Sequence, residues 1–535
     1  MSVSLTLPMQ SPTRARRVIR FAPPLVGLAI VLAVWVVCAE VVWRSGNVVP
    51  APWTVFAQIG RDRSFYRPNI IQTANEAAWG FVWGNLAAIV IGVVFVLVPW
   101  IERLGLRLVI ALYCLPVIAS APILQIVLPG DRAKIAVAAQ AVVFTTLVGV
   151  TTGLRSADSA LLAVVRASGG NPWQQLIRVR LQSAIPALFA GLKIAAPAAV
   201  LGAVIGEFLG GKRGLGVAMV ASQQGFNVPR TWGIGLVLTA FSAVTYLVIG
   251  AIGKWLAPWQ ATTTAQTPSL APLRTSRRSL RMLESTVFVV ASIVLVLAMW
   301  SLTLRWFHLN TFFAKRPTDV WHWLTGAQGG AHRSVLIRDL RITLGNAGLG
   351  YLVGTAGALG LAIVVAASRT IERAVMPVAI AVRSVPLVAM TPLIALVFGR
   401  GIACVLVLAG MVTFFPSLVQ LVAGLRSAPA PASDLVHSFG GDARQQLIRV
   451  RLPYALPALF ASARIAAPLA IVGATLAEWL ATGKGIGNHI VLALSRSQYT
   501  DLWASVVVLT AVSVAIYGVV ATAERVVIRR FHEGA

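Results

Sequence analysis

Gln174–Leu181 reads QQLIRVRL, and Gln445–Leu452 reads QQLIRVRL again. In the same register Pro186-Ala-Leu-Phe-Ala190 matches Pro457-Ala-Leu-Phe-Ala461, and Ile194-Ala-Ala-Pro197 matches Ile465-Ala-Ala-Pro468. Glu207 then pairs with Glu478, Gly214 with Gly485, Gly216 with Gly487 and Trp232 with Trp503. Upstream, Thr73 pairs with Thr343, Gly80 with Gly350, Pro116 with Pro386 and Pro122 with Pro392, one residue being gained between Pro392 and Gly424. Agreement at this spacing across two long stretches is an internal duplication.

The duplicated unit is apolar. Of 535 residues 57% are hydrophobic and only 12% charged, whereas a soluble domain is about a quarter charged. Charge is costly in hydrocarbon, so the composition is that of an integral membrane protein. Runs near 23–43, 73–99, 105–128, 133–153, 187–209 and 232–253 are long enough to span a bilayer. A second set falls near 283–304, 342–367, 374–398, 401–424, 458–480 and 501–522. A spanning helix needs about 20 residues, so the reading is all-α, with about twelve spans in two tandem six-helix halves. We set the first half at 1–259, a linker at 260–282 and the second half at 283–535. An even span count makes the halves parallel repeats about an axis along the membrane normal. The basic N-terminal tail, linker (Arg274, Arg277, Arg278, Arg281) and C-terminal tail (Arg525, Arg529, Arg530) are expected to place both termini of this multi-pass protein in the cytoplasm.

A net charge of +28 does not imply nucleic acid, because many basic residues flank the apolar runs, where lipid headgroups are the natural partners. The three cysteines, Cys38, Cys114 and Cys404, sit inside apolar runs without metal-ligand spacing. The six histidines (His308, His322, His332, His437, His489, His532) show no ligand pairing, and no nucleophile–base constellation is legible. The expectation is no metal, no catalytic residue and no enzyme.

Each half carries one polar segment too long for a turn, between its fourth and fifth spans: 155–182 and 426–453. A helical run stops at Gly169-Gly170 or Gly440-Gly441, where glycine accepts the left-handed conformation at little cost. Asn171 or Asp442 follows as a helix N-cap, with Pro172 at the first helical position of the first half. The expectation is two short helices joined by a sharp bend, projecting from the membrane in each half.

A small or acidic start, a central glycine and a Leu-Pro at the end of this segment resemble the EAA loop of bacterial ABC importer permeases. GLKIAAPAAVLGAVIGEFLGGKRGLG (191–216), SARIAAPLAIVGATLAEWLATGKGIG (462–487) and VVPAPWTVFAQIG (48–60) are similar to the nitrate/sulfonate/taurine branch. The resemblance covers nearly all of both halves and implies the type I importer transmembrane fold. It implies that these loops dock on an ATP-hydrolysing subunit, through Arg166, Gly169, Gly170, Asn171, Trp173 and Arg178 in the first half. In the second half the corresponding set is Asp434, Gly440, Gly441, Asp442, Arg449 and Pro453. The chain departs from the family pattern where Ala163 stands for the initial Glu, and where Leu181-Gln182 replaces the Leu-Pro of Leu452-Pro453. Two ATPase copies, one per loop, and a separate extracytoplasmic solute-binding protein are the implied partners, with membrane lipids around the chain. Gly211-Lys212-Arg213-Gly214 and Gly483-Lys484-Gly485 lack the phosphate-cradling spacing of a nucleotide loop, so ATP and Mg belong to the ATPase.

Glu207 and Glu478 lie towards the far end of the fifth spans, about 21 Å up the helix from Lys193 and Arg464. Those cations are expected to snorkel to the membrane surface. The acids either take part in the pathway or bond backbone amides of the Gly-rich segment that follows. Pro116, Pro122, Pro386 and Pro392 interrupt the third span of each half; freed carbonyls need internal partners, so this span is the expected pathway lining. Gly80-x-x-x-Gly84 and Gly350-x-x-x-Gly354 fit close helix packing. The resemblance to that branch implies a small solute, a sulfonate-, nitrate- or taurine-like anion or a vitamin precursor. The competing reading is a twelve-span secondary transporter driven by an ion gradient, which leaves the duplicated loops unexplained.

Overall fold

The apolar runs become helices because hydrocarbon leaves the backbone no other way to satisfy its N–H and C=O groups. The computed structural model describes residues 29, 31–44, 48–257, 278–326, 330–368, 371–372, 375–376 and 387–533. Among these no strand is found. In chain order the first half contains α1 (Val31–Val42), α2 (Pro52–Arg61), α3 (Arg63–Leu97), α4 (Pro99–Cys114), α5 (Val117–Val127), α6 (Asp131–Arg155) and α7 (Ser159–Ala167). It continues with α8 (Pro172–Gly210), α9 (Leu215–Gln224) and α10 (Val228–Leu256). The second half repeats the order: α11 (Arg278–Trp306), α12 (Pro317–Thr325), α13 (Gly330–Ala367), α14 (Leu387–Phe398), α15 (Ile402–Arg426) and α16 (Ala430–Ser438). Then come α17 (Ala443–Thr482), α18 (Ile486–Ser495) and α19 (Tyr499–Glu533).

Nine helices among the described residues are long and apolar enough to cross a membrane, or ten if α4 and α5 form one span bent by 96°. Of the about twelve expected spans, the first is described only as the short apolar helix α1. The ninth, near 374–398, is described only in part, chiefly as α14, while Pro386 and most of the 260–282 linker lie outside the described residues. Helix α11 begins at Arg278, inside the stretch read as linker. The bend between α4 and α5 sits at Leu115-Pro116, where proline denies the helix a donor.

Within each half small residues let two helices approach closely at matching places. A Cβ on Gly80 would stand 2.3 Å from Ala138 Cβ, and one on Gly350 would stand 2.3 Å from Ala409 Cβ. Packing in lipid rests on this close approach, since lipid tails are as apolar as leucine. These pairs fix α6 against α15 in one register, which places the extra residue of the second half before Ile402.

The halves interlock reciprocally. Helix α5 packs on α17, α18 and α19 of the second half, while α14, its counterpart, packs on α8, α9 and α10 of the first. Ala119 accordingly lies in the core of the second half and Leu393 in that of the first. The repeat extends to aromatic detail. Trp35 stacks on Trp232, whose Nε1–H donates to Val48 O at 3.1 Å. Trp300 stacks on Trp503, whose Nε1–H donates to Phe313 O at 3.0 Å.

Candidate functional site

At one end of each half stands the polar segment. Asp158 caps α7 by accepting from the Ala160 amide at 2.8 Å. The helix closes with the Gly170 amide donating to Val165 O at 2.8 Å and Gly169 at φ +78°, a conformation that costs a side chain about 1–2 kcal/mol. Asn171 then accepts from the Gln174 amide at 2.8 Å while its own amide donates to the Gln174 side chain at 3.0 Å, a complete capping box. In the second half Gly440 has φ +74° and the Gly441 amide donates to Val436 O at 2.9 Å. Asp442 accepts from the Gln445 amide at 2.7 Å.

The expected second short helix is not separate. From Pro172 and from Ala443 the helix runs unbroken into the fifth span, passing through one π-helical turn at Leu176–Arg180 and at Leu447–Arg451. The repeated LIRVR thus encodes a π-bulge in both halves. The glycine bend is therefore joined directly to one continuous helix that is long and apolar enough to cross a membrane.

The face these segments offer is exposed and mixed. Arg166, Gly169, Asn171, Trp173 and Arg178 are exposed and Gly170 half-buried; Asp434, Gly440, Asp442 and Arg449 are exposed, Pro453 is half-buried and Gly441 is buried. Beside the arginines stand exposed apolar side chains: Leu161, Val164, Trp173 and Ile177 in the first half, Leu435, Phe439 and Ile448 in the second. Apart from Trp173, sequence reading did not single out these apolar members; their signal was apolar residues at helical spacing on a polar segment. An acid of the third span anchors each segment's root, Glu102 pairing with Arg155 and Glu372 with Arg426.

At the far end the two glutamates find similar cradles. Glu207 accepts from Thr73 Oγ1 at 2.6 Å and from the Gly216 amide at 2.6 Å. Glu478 accepts from Thr343 Oγ1 at 2.7 Å and from the Gly487 amide at 3.1 Å. The threonines also accept from the Leu215 and Ile486 amides, both at 2.9 Å. Each glutamate thus ties the fifth span to the helix that follows it through a backbone amide just past the glycine turn, and to α3 or α13 through a threonine. A Cβ on Gly214 would stand 2.2 Å from Glu207 Cδ, and one on Gly485 would stand 2.3 Å from Glu478 Cδ.

The snorkelling expectation needs correction in the second half. Arg464 is ion-paired with Glu524 at 3.1 Å, both side chains largely buried, because Glu524 stands where the first half has Gly253. Lys193 instead lies over the Tyr246 ring, 4.3 Å from its centroid.

The proline-interrupted third span sits between the halves. Pro122 is buried in α5 and Pro392 in α14, and Gln223 of the first half donates to Pro392 O at 3.4 Å. Tyr113, just before the bend, donates to Ile465 O of the second half at 3.0 Å. A cavity of about 450 Å³ is lined by Ile59, Arg63, Tyr66, Arg67, Ile70, Ile71 and Val237, all from the first half, so it is no passage between the two. Among the described residues no group of three or more His, Cys, Asp or Glu could hold a metal ion.

The model of the family described as binding-protein-dependent transport system inner membrane component matches residues 80–262 and again 357–533. The chain is 32% identical over 186 residues to a probable ABC transporter permease protein of Haemophilus influenzae, covering 35% of this chain and 76% of that one. It is 24% identical over 252 residues to the formylaminopyrimidine transport permease protein ThiX of Halalkalibacterium halodurans, covering 47% of this chain and 97% of that one. It is 29% identical over 177 residues to the putative aliphatic sulfonates transport permease protein SsuC of Bacillus subtilis, covering 33% and 64%. The duplication seen in the sequence is a duplication of this domain: the chain belongs to the binding-protein-dependent transport inner membrane components, with two copies fused in one polypeptide.

Proposed function

We propose that the two halves of this ABC importer permease together form one translocation pathway, worked by an ATPase subunit docked on each polar segment. One observation carries the reading: twice in the chain, a rigid, capped helix–glycine–helix segment presents apolar side chains among arginines outside the apolar core. Exposed apolar patches on polar elements mark binding surfaces. The long rod behind each segment passes displacement at that surface to the far-end turn that Glu207 or Glu478 holds.

On this reading the polar segments and both termini face the cytoplasm, and the membrane is the bacterial inner membrane. One chain meets two ATPase copies, which supply the ATP and Mg site. A separate binding protein delivers solute at the far end, between α5 and α14. The candidate functional domains remain 1–259 and 283–535. The solute is a small molecule of the kind named for the relatives, a formylaminopyrimidine-like vitamin precursor or a sulfonate-like anion.

Purification of the full chain from its host in mild detergent tests this. Two ATPase subunits per chain, with vesicle transport that requires ATP, is the expected result. A chain that comes out without an ATPase and transports on an ion gradient alone would overturn the reading in favour of a secondary transporter.

A further inference from the structure

We propose that the first half binds one proton between the carboxyls of Glu76 and Glu207, and that this proton stands where the second half carries an amide N–H. Both side chains are buried, Glu76 on α3 at 0% exposure and Glu207 on α8 at 1%. Glu76 Oε1 accepts from Gln72 Nε2 at 2.7 Å and from Lys134 Nζ at 2.8 Å. Its Oε2 is buried with no donor. Thr73, three residues before Glu76 on α3, donates to Glu207 Oε1 at 2.6 Å, so α3 brings the Glu76 carboxyl to the same buried site as that of Glu207.

The second half shows what this contact requires. Asn346 occupies the place of Glu76, and its Nδ2–H donates to Glu478 Oε1 at 2.9 Å. Lys134 is replaced there by the buried Val405, and Gln72 by Ile342. In the first half no N–H stands at that point, and a carboxylate would face a carboxylate. Like charges that share a buried site do not both ionise; one holds a proton. A single proton converts the repulsion into an O–H···O bond equivalent to the Asn346 N–H···O bond.

The charges account for one proton and no more. Lys134 neutralises one carboxylate, and its other partner, Asp131 at 3.0 Å, is 58% exposed and hydrated. The Gly216 amide and Thr73 hydroxyl already fill the remaining positions on Glu207. A metal cation is disfavoured because the Lys134 ammonium occupies the cationic place beside Glu76. The bound proton holds α3 to the glycine turn, which is also pinned by the Gly214 amide on Asn69 Oδ1 at 2.9 Å. Its loss sets two carboxylates against each other at that turn, so deprotonation at this site opens the first half's far end, whereas the Asn346–Glu478 bond at the same place in the second half has no such proton to lose.

Infrared spectroscopy of the full chain in nanodiscs near neutral pH tests this. The expected result is a protonated-carboxyl C=O band that shifts in D2O, disappears in Glu76→Gln and persists in Glu478→Gln. Absence of the band, its persistence in Glu76→Gln, or its removal by added sodium at fixed pH would overturn the proposal. Should Glu76→Gln not fold, Asn346→Glu gives an independent reading: a second such band is expected, and no gain would also overturn it.

Discussion

The far ends of the two halves share a backbone and differ in chemistry. In the first half Asp62 meets Arg230 at 2.6 Å. At the same two places the second half has His332 and Asp501, 3.7 Å apart, so the sign of each partner is exchanged. His489 stands where the first half has Ala218 and joins Asp501 at 3.1 Å to Asp339 at 3.2 Å. Deeper in, Glu76–Lys134 of the first half becomes Asn346 and Val405. The first half therefore carries the ion pairs Asp62–Arg230 and Glu76–Lys134 where the second has a histidine–aspartate cluster and an amide. Duplication preserved the geometry of the glutamate cradle while the two copies diverged in the chemistry that fastens it.

Removal of one partner from the buried pair should have the largest effect. Lys134→Ala leaves Glu76 uncompensated and is expected to destabilise the first half by about 3–5 kcal/mol, whereas Val405→Ala only opens a small void. Thermal unfolding of the two variants in nanodiscs compares them, and equal losses would contradict the asymmetry. Next is the docking surface. Trp173 has Arg444 as its counterpart, and interface tryptophans dominate binding energy. Trp173→Ala is expected to weaken ATPase binding by about 2 kcal/mol, roughly 30-fold, and Arg444→Ala by distinctly less, measured by titration of the ATPase onto the purified chain.

The N-caps offer a matched pair at smaller scale. Asn171→Ala and Asp442→Ala should each cost about 1 kcal/mol of local stability. Hydrogen exchange of the Gln174 and Gln445 amides reads each segment separately, and a loss that spread to both halves would show them to be coupled at rest.

The smallest expected effect is the pH response, and its sign differs between the halves. Arg230 holds the Asp62 carboxyl below its ordinary value of 3.8, so that fastening is present above this value and is lost only as pH falls through the lowered one. Hydrogen bonding to Asp501, aided by Asp339, holds His489 above its ordinary 6.5. Its contribution is complete below 6.5 and is lost as pH rises through the raised value. Around His489 the charged neighbours are Asp339 with Arg338 at 3.1 Å, and Asp501 with His332. Mild alkalinisation should thus loosen the His489 fastening of the second half, read as faster proteolysis near Ile486–Ser495, and His489→Gln should abolish the response at that helix.

Much of this was legible in the residues. The duplication, the spans, the caps at Asn171 and Asp442 and the glycine bends depend on local chemistry: periodicity, chain reversal and the N–H groups a helix leaves open. Glu207 and Glu478 were recognisable as acids beside a glycine turn for the same reason. Tertiary structure decided what lies across space. That LIRVR forms a π-turn inside a continuous rod, that α5 and α14 exchange between the halves, and that Glu76 faces Glu207 depend on partners many residues away. No spacing along one helix reports such contacts, because a helix fixes which face a side chain occupies and packing alone fixes what that face meets.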